Sequence, residues 1–232
     1  MADVQRVTMT TDGLQGLFDA LHRRGYRLVG PTLRDGAILY DDIAGIADLP
    51  RGWTDEQDGG RYRVHRRGDD ALFGYAVGPH SWKRFLHPAH RRLWSAQRSG
   101  AGVTVTPEPP ASDRFAFIGV RACDLNAIAI QDRVLTGGPW VDTSYRARRR
   151  GAFILAINCG VAGGTCFCVS MQSGPRADRG YDLALTELAG GSEHCFVIHG
   201  GSDEGLTVLA EVPHRPATAE EMTQAEAIVA GT

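Results

Sequence analysis

The sequence predicts an α+β fold, a mixed sheet flanked by helices with a βαβ-like unit in its second half. Three observations carry this: an amphipathic helix near the start, an Asp-Gly pair joining two extended runs, and two wholly apolar runs bracketing a helical stretch. In the first helix Leu14, Leu17, Phe18 and Leu21 recur at helical spacing, Thr11 or Asp12 caps its start and Gly25 closes it. Residues 26–33 and 37–43 read as extended segments across Asp35-Gly36, a pair favoured in two-residue hairpins. A second hairpin is expected from 62–65 and 71–77 around Arg67-Gly68-Asp69. The Gly- and acid-rich stretch 48–60 between them is expected to be an irregular, partner-facing loop. Residues 79–87 and 90–98 read as short helical pieces interrupted by Pro88, and 103–105 as a strand. Residues 115–120 and 153–157 are buried-strand patterns on either side of a helical stretch, 124–135, an order that predicts a right-handed crossover. Residues 196–198 are a further strand, and 218–229 form a Glu- and Ala-rich helix. The chain stops soon after that helix, as expected of a piece of a longer protein.

At 232 residues the chain is expected to form one domain over 1–232, with an N-terminal lobe at 1–110 and a cysteine-bearing lobe at 111–217. Hydrophobic residues make up 43% and charged residues 22%, which excludes a disordered, coiled-coil or collagen-like chain. A net charge of -2 argues against nucleic acid as a partner. Lys83 is the sole lysine, a skew that reflects genome composition more than phosphate recognition. No apolar stretch approaches the roughly 20 residues that cross a bilayer, so no membrane insertion is expected. The first six residues are unlike a secretory signal, and a cytoplasmic location follows as the expectation. There, five cysteines serve as buried thiols, metal ligands or catalytic groups rather than disulfides.

The strongest chemical signal is Asn158-Cys159-Gly-Val-Ala-Gly-Gly-Thr-Cys166-Phe-Cys168, three thiols in a glycine-rich loop that begins at the end of a predicted strand. Glycines let the backbone approach a compact ligand, and loop N–H groups can hydrogen-bond cluster sulfurs. Three thiolates are one short of a closed iron-sulfur or zinc site, and Cys123 is the natural fourth, at the junction of the first buried strand and its helix. The helix N-terminus is expected to lower the Cys123 thiol pKa, with Asp124 as the N-cap. From the residues alone an iron-sulfur site, a zinc site and ordinary buried or redox thiols all stand, because C-x6-C-x-C matches neither zinc-ribbon nor ferredoxin spacing. Cys195, inside an apparent strand, reads as structural.

His80, His87 and His90 fit no closed ligand set and read as solvated or packed. The run Arg146, Arg148, Arg149 and Arg150 reads as a solvated turn, with an acidic docking partner as the alternative. No Walker loop, Gly-x-Gly-x-x-Gly fingerprint or Gly-x-Ser-x-Gly elbow is present.

Five segments occur in an order that resembles a known family. They are Asp48-Leu-Pro-Arg-Gly-Trp53, Phe73-Gly-Tyr-Ala-Val-Gly-Pro79 with Trp82-Lys83-Arg84, Gly119-Val-Arg-Ala-Cys-Asp-Leu125, the Cys159 to Cys168 loop, and Gly180-Tyr-Asp-Leu183. Over about residues 26 to 202 the chain resembles the N-terminal region of the beta (iron-sulfur, electron-transfer) subunit of sulfhydrogenase-type cytosolic nickel-iron hydrogenases. That subunit is similar to the corresponding subunit of anaerobic sulfite reductase. The resemblance implies a 4Fe-4S cluster on Cys123, Cys159, Cys166 and Cys168. It also implies electron relay from a flavin-containing diaphorase subunit to a catalytic hydrogenase or reductase subunit, or the reverse. Such subunits continue into a C-terminal ferredoxin-like domain with Cys-x-x-Cys-x-x-Cys-x-x-x-Cys-Pro runs, which this chain lacks, as a fragment would or a protein whose ferredoxin module is separate. The reading from another class is a non-redox scaffold or adaptor whose cysteines bind zinc or simply pack. Membership of a complex further predicts accessible apolar or aromatic residues near Trp53, or around Trp82 and Trp94.

Overall fold

A computed structural model describes residues 6–76, 78–100, 102–109, 113–191 and 193–232. The first five residues, read above as unlike a signal, and Val77, at the end of the expected 71–77 strand, lie outside the described residues. The chain runs β1 (Val7–Thr10), α1 (Thr11–Arg23), β2 (Arg27–Arg34), β3 (Ala37–Asp42), β4 (Trp53–Asp58), β5 (Arg61–Arg66) and α2 (Lys83–Leu86). It continues through β6 (Trp94–Ser99), β7 (Gly102–Pro107), β8 (Phe115–Val120), α3 (Ala122–Thr136), α4 (Thr143–Arg150) and β9 (Phe153–Ile157). The last elements are β10 (Leu183–Leu188), β11 (Cys195–Gly200), α5 (Asp203–Leu209), β12 (Arg215–Pro216) and α6 (Ala219–Ala230).

Eight strands form one sheet in the order β12-β1-β11-β10-β9-β8-β2-β3. The centre is parallel, from β10 through β9 and β8 to β2, and the outer pairs are antiparallel, so the sheet is mixed as expected. Every residue of β8 and β9 is buried because both sheet faces are covered. Alternate residues serve opposite faces: Ala116, Ile118, Phe153 and Leu155 pack with Leu14, Leu17 and Phe18 of α1, whereas Phe115, Phe117 and Ile154 pack with Leu125, Ile128 and Trp82. The Asp35-Gly36 turn closes β2 on β3 with φ of 50° and 72°, the positive pair such a turn requires.

Three expectations fail, for one reason: partners distant in sequence override local composition. The acidic stretch is not a loop, since β4 pairs with β5 across Gly59-Gly60. Cross-strand contacts favour that pairing, with the Arg66 guanidinium 4.4 Å from the Trp53 ring centroid and His65 3.1 Å from Glu56. Residues 71–76 are buried but form no strand. Their backbone groups go to side chains: Leu72 and Phe73 N–H donate to Glu187 at 2.6 and 2.9 Å, and Ala76 N–H donates to Asp55 at 2.6 Å. The helical pieces at 79–87 and 90–98 reduce to α2, and 94–99 is a strand in a hairpin whose residues are all exposed, so no apolar face stabilises a helix there. The Arg run 146–150 is not a turn but the end of α4, where Asp142 caps the start and accepts from Ser144 and Tyr145 N–H, and arginines suit the negative C-terminus.

Glu187→Gln places an amide where Leu72 and Phe73 both need an acceptor. The expected loss is about 2 kcal/mol, read as a lower urea midpoint with an unchanged slope.

Candidate metal centre at the parallel strand ends

β8 and β9 are parallel neighbours, so the chain leaves both at the same edge of the sheet. Gly119, at a φ of 84°, sits at a break in register between Ile118 and Val120, and a Cβ there would stand 3.1 Å from the Phe73 ring. This irregularity turns the end of β8 into the site, a common use of strand bulges. Cys123 lies on the first turn of α3, Cys159 two residues beyond β9, and Cys166 and Cys168 in the loop returning to β10. Cys166 is exposed, and Cys123, Cys159 and Cys168 are half-buried.

The four thiols share one electrostatic neighbourhood. Cys123 is affected by Cys159 and Cys168, and Cys159 by Cys168 and Cys166. Among the described residues no three His, Cys, Asp or Glu side chains group as ligands of a metal ion. The loop is nonetheless tightly specified. Gly163 N–H donates to Cys166 Sγ at 3.2 Å, and a Cβ on Gly174 would stand 3.3 Å from Cys168 Sγ. A Cβ on Gly164 would collide with the Gln57 carbonyl, while Thr165 donates to Gln57 Oε1 at 3.0 Å. The β4–β5 hairpin therefore braces the loop from one side. The chain end beyond α6 braces it from the other, where Thr232 donates to the Cys159 carbonyl at 3.0 Å.

Beneath the thiols lies Arg121, fully buried. Its Nη2 donates to the Phe73 and Tyr75 carbonyls at 2.8 and 2.7 Å, and its Cζ stands 4.8 Å from the Tyr75 ring centroid. Burial works against its charge, but Cys159, Tyr75, Tyr40 and Cys123 more than offset that, so it stays protonated. Arg121 Nε and the Tyr75 hydroxyl are buried without a hydrogen-bond partner. Both residues stand within the motifs quoted above, but their local sequence assigns neither a role. The one available signal is an arginine between an apolar strand and a cysteine.

Two local expectations are corrected. Asp124 is not the N-cap, which is Arg121. Asp124 instead accepts from Trp82 Nε1 at 3.2 Å and from the Tyr40 hydroxyl at 3.4 Å, and burial raises its carboxyl to about 6 against these donors. The Cys123 thiol is not lowered by its helix but pushed up to about 12, first by burial and then by Asp124, Cys159 and Cys168, with Arg121 opposing. Burial also raises Cys159.

Outside the site, Cys195 is buried with Leu188, Val197 and Ala225. His80 bonds Arg84 at 2.9 Å and His87 stands 3.7 Å from Asp142, and neither joins the thiols. Of the tryptophans expected to stay accessible, Trp94 is 59% exposed, but Trp53 is half-buried under Arg66, and Trp82 is buried, stacked on Tyr40 at 3.9 Å. Apolar surface lies instead on the cysteine loop, where Phe167, Val169 and Met171 are exposed.

Over 98 residues the chain is 35% identical to the Sulfhydrogenase 2 subunit beta of Pyrococcus furiosus. Across this stretch the two are similar. The match covers 42% of this chain and 27% of the relative, so the chain spans about a quarter of the relative's length. No family model matches the chain, and no solved structure does. Among the described residues no helix is long and apolar enough to cross a membrane.

In the metal-free chain Cys123 stays a neutral thiol at pH 8, and only the thiolate alkylates. Iodoacetamide followed by peptide mass spectrometry is expected to label exposed Cys166 well before Cys123. Equal rates would contradict the raised Cys123 thiol.

Proposed function

We propose that this chain is an electron-transfer iron-sulfur component of a cytoplasmic oxidoreductase complex of the hydrogenase or sulfite reductase type. In this reading Cys123, Cys159, Cys166 and Cys168 hold a 4Fe-4S cluster. The chain relays electrons between two partners, a flavin-containing diaphorase and a catalytic hydrogenase or reductase. The observation that carries the reading is the convergence of four thiols above a buried cation at adjoining parallel strand ends.

The donor chemistry fits. Soft thiolates select iron-sulfur clusters, zinc or copper(I), and a neighbouring positive charge offsets the negative charge of four thiolates. Four sulfurs around one tetrahedral zinc stand about 3.8 Å apart, from a bond of about 2.3 Å. A four-iron cluster gives each cysteine its own iron and does not require that close grouping. The orphaned Arg121 Nε and Tyr75 hydroxyl are donors in want of an acceptor, which an anionic cluster would provide. When bound, the cluster would supply one-electron transfer. The chain's own tasks are to hold the thiolates, donate loop N–H groups such as Gly163 to sulfur, exclude water with the 71–76 segment, and present Phe167, Val169 and Met171 to a partner. The similarity to a sulfhydrogenase beta subunit supports the hydrogenase-type complex.

Anaerobic reconstitution tests this directly. The wild-type chain is expected to take up iron and sulfide in equal amounts and to give a reduced-state paramagnetic signal. Cys166→Ser and Cys168→Ser are expected to lose most of the iron, and Cys195→Ser to keep it. Cys123→Ser with full iron and an unchanged signal would remove the fourth ligand from the set. Stoichiometric zinc, or no metal, would favour the scaffold or adaptor reading instead.

A further inference from the structure

A fully buried arginine is costly unless its charge is answered nearby. Arg121 has three hydrogen-bond acceptors, all main-chain carbonyls: Phe73 and Tyr75 at 2.8 and 2.7 Å, and Asn158 at the limit of 3.5 Å. Carbonyl dipoles solvate the guanidinium without neutralising it. The charge-bearing groups that influence it most are the thiols of Cys159 and Cys123 and the hydroxyls of Tyr75 and Tyr40. A purely structural role, holding 71–76 against the sheet, explains the two Nη2 bonds. It does not explain the bare Nε, nor the bare hydroxyl of Tyr75, whose ring lies beside the guanidinium. Two orphaned donors on adjoining side chains, under the same group of thiols, need a single acceptor between them.

We propose that Arg121 and Tyr75 form a buried donor floor that raises the reduction potential of the cysteine-bound centre by favouring its more negative state. This rests on the iron-sulfur reading above. One electron added to the centre adds one negative charge beside a guanidinium that remains protonated, so the reduced state gains more from Arg121 than the oxidised state does. The electron comes from the flavin-bearing partner and leaves to the catalytic partner, and neither Arg121 nor Tyr75 gains or loses a proton. Both are positioning residues. Arg121 also joins the Cys159 strand end to the 71–76 segment, so the same side chain fixes the wall of the site and tunes it.

A redox titration of the reconstituted chain, with dithionite as reductant and followed by paramagnetic resonance, tests the proposal. At a fixed applied potential Arg121→Gln is expected to lower the reduced-to-oxidised ratio at least tenfold, a shift of about 59 mV for a one-electron couple. Arg121→Lys, which keeps the charge, is expected to stay within threefold of wild type. Tyr75→Phe keeps the ring and removes only the orphaned hydroxyl, and is expected to shift the ratio in the same direction by a smaller factor. Iron content and far-ultraviolet circular dichroism report whether each variant is folded and loaded. Loaded Arg121→Gln and Tyr75→Phe proteins with wild-type ratios overturn the proposal. Should Arg121→Gln not fold, an unshifted Tyr75→Phe overturns it alone. A wild-type chain that takes up no iron and sulfide fails the iron-sulfur reading itself, and the proposal with it.

Discussion

The site depends on a positive charge buried where three chain segments meet. Arg121 follows β8, reaches the carbonyls of Phe73 and Tyr75 in a segment without regular structure, and extends toward the Asn158 carbonyl where β9 ends. Removing a charge from water costs several kcal/mol even after relaxation. That cost is met locally by carbonyl dipoles, the face of Tyr75 and the adjoining thiols. Arginine suits this position because its planar fork serves several acceptors at once and its charge is not lost on burial. A lysine would offer a point charge and fewer fixed directions.

Two carboxylates complete what the guanidinium begins. Arg121 takes carbonyls from residues 71–76, while Glu187 and Asp55 take N–H groups from the same segment. The segment is thereby buried without a neighbouring strand, and its polar groups still find partners. His194 lies 2.8 Å from Glu187, and Gln57 donates to Asp55, so each carboxylate is itself held in place. The β4–β5 hairpin gains a function from this: it carries Asp55 to the segment and Gln57 to the cysteine loop. A wall built from side chains can approach the strand ends more closely than a ladder-bound strand could.

The cysteine loop combines a fixed base with an open outer face. Its glycines allow close approach to Gln57 and Ala122, and its ends are tied by Asn158, which donates to Thr186 and accepts from the Ala177 N–H. Outward, Cys166, Phe167, Val169 and Met171 face solvent. Such an apolar patch beside a group of thiols is surface of the kind another protein covers. The Cys123 side is the reverse, enclosed enough that burial raises its thiol strongly.

How much of this is legible in the sequence follows from how local each signal is. The strands 115–120 and 153–157 are legible to the residue because a strand buried on both faces is an uninterrupted apolar run. The first helix, the Asp35-Gly36 turn and the placing of Cys123 and the Cys159 loop at adjoining strand ends are likewise carried by residue spacing and by strand-helix-strand order. Tertiary structure decides the rest. β4 is acidic and forms a strand only because arginines and a histidine on β5 lie across from it. Residues 71–76 alternate like a strand yet are claimed by Glu187, Asp55 and Arg121, up to 115 positions away. Trp82 reads as accessible aromatic surface and is buried because Tyr40, Phe117 and Asp124 converge on it. The role of Arg121 is hidden for the same reason. Composition records that a charge is present, and only the packed chain determines whether water or four thiols surround it.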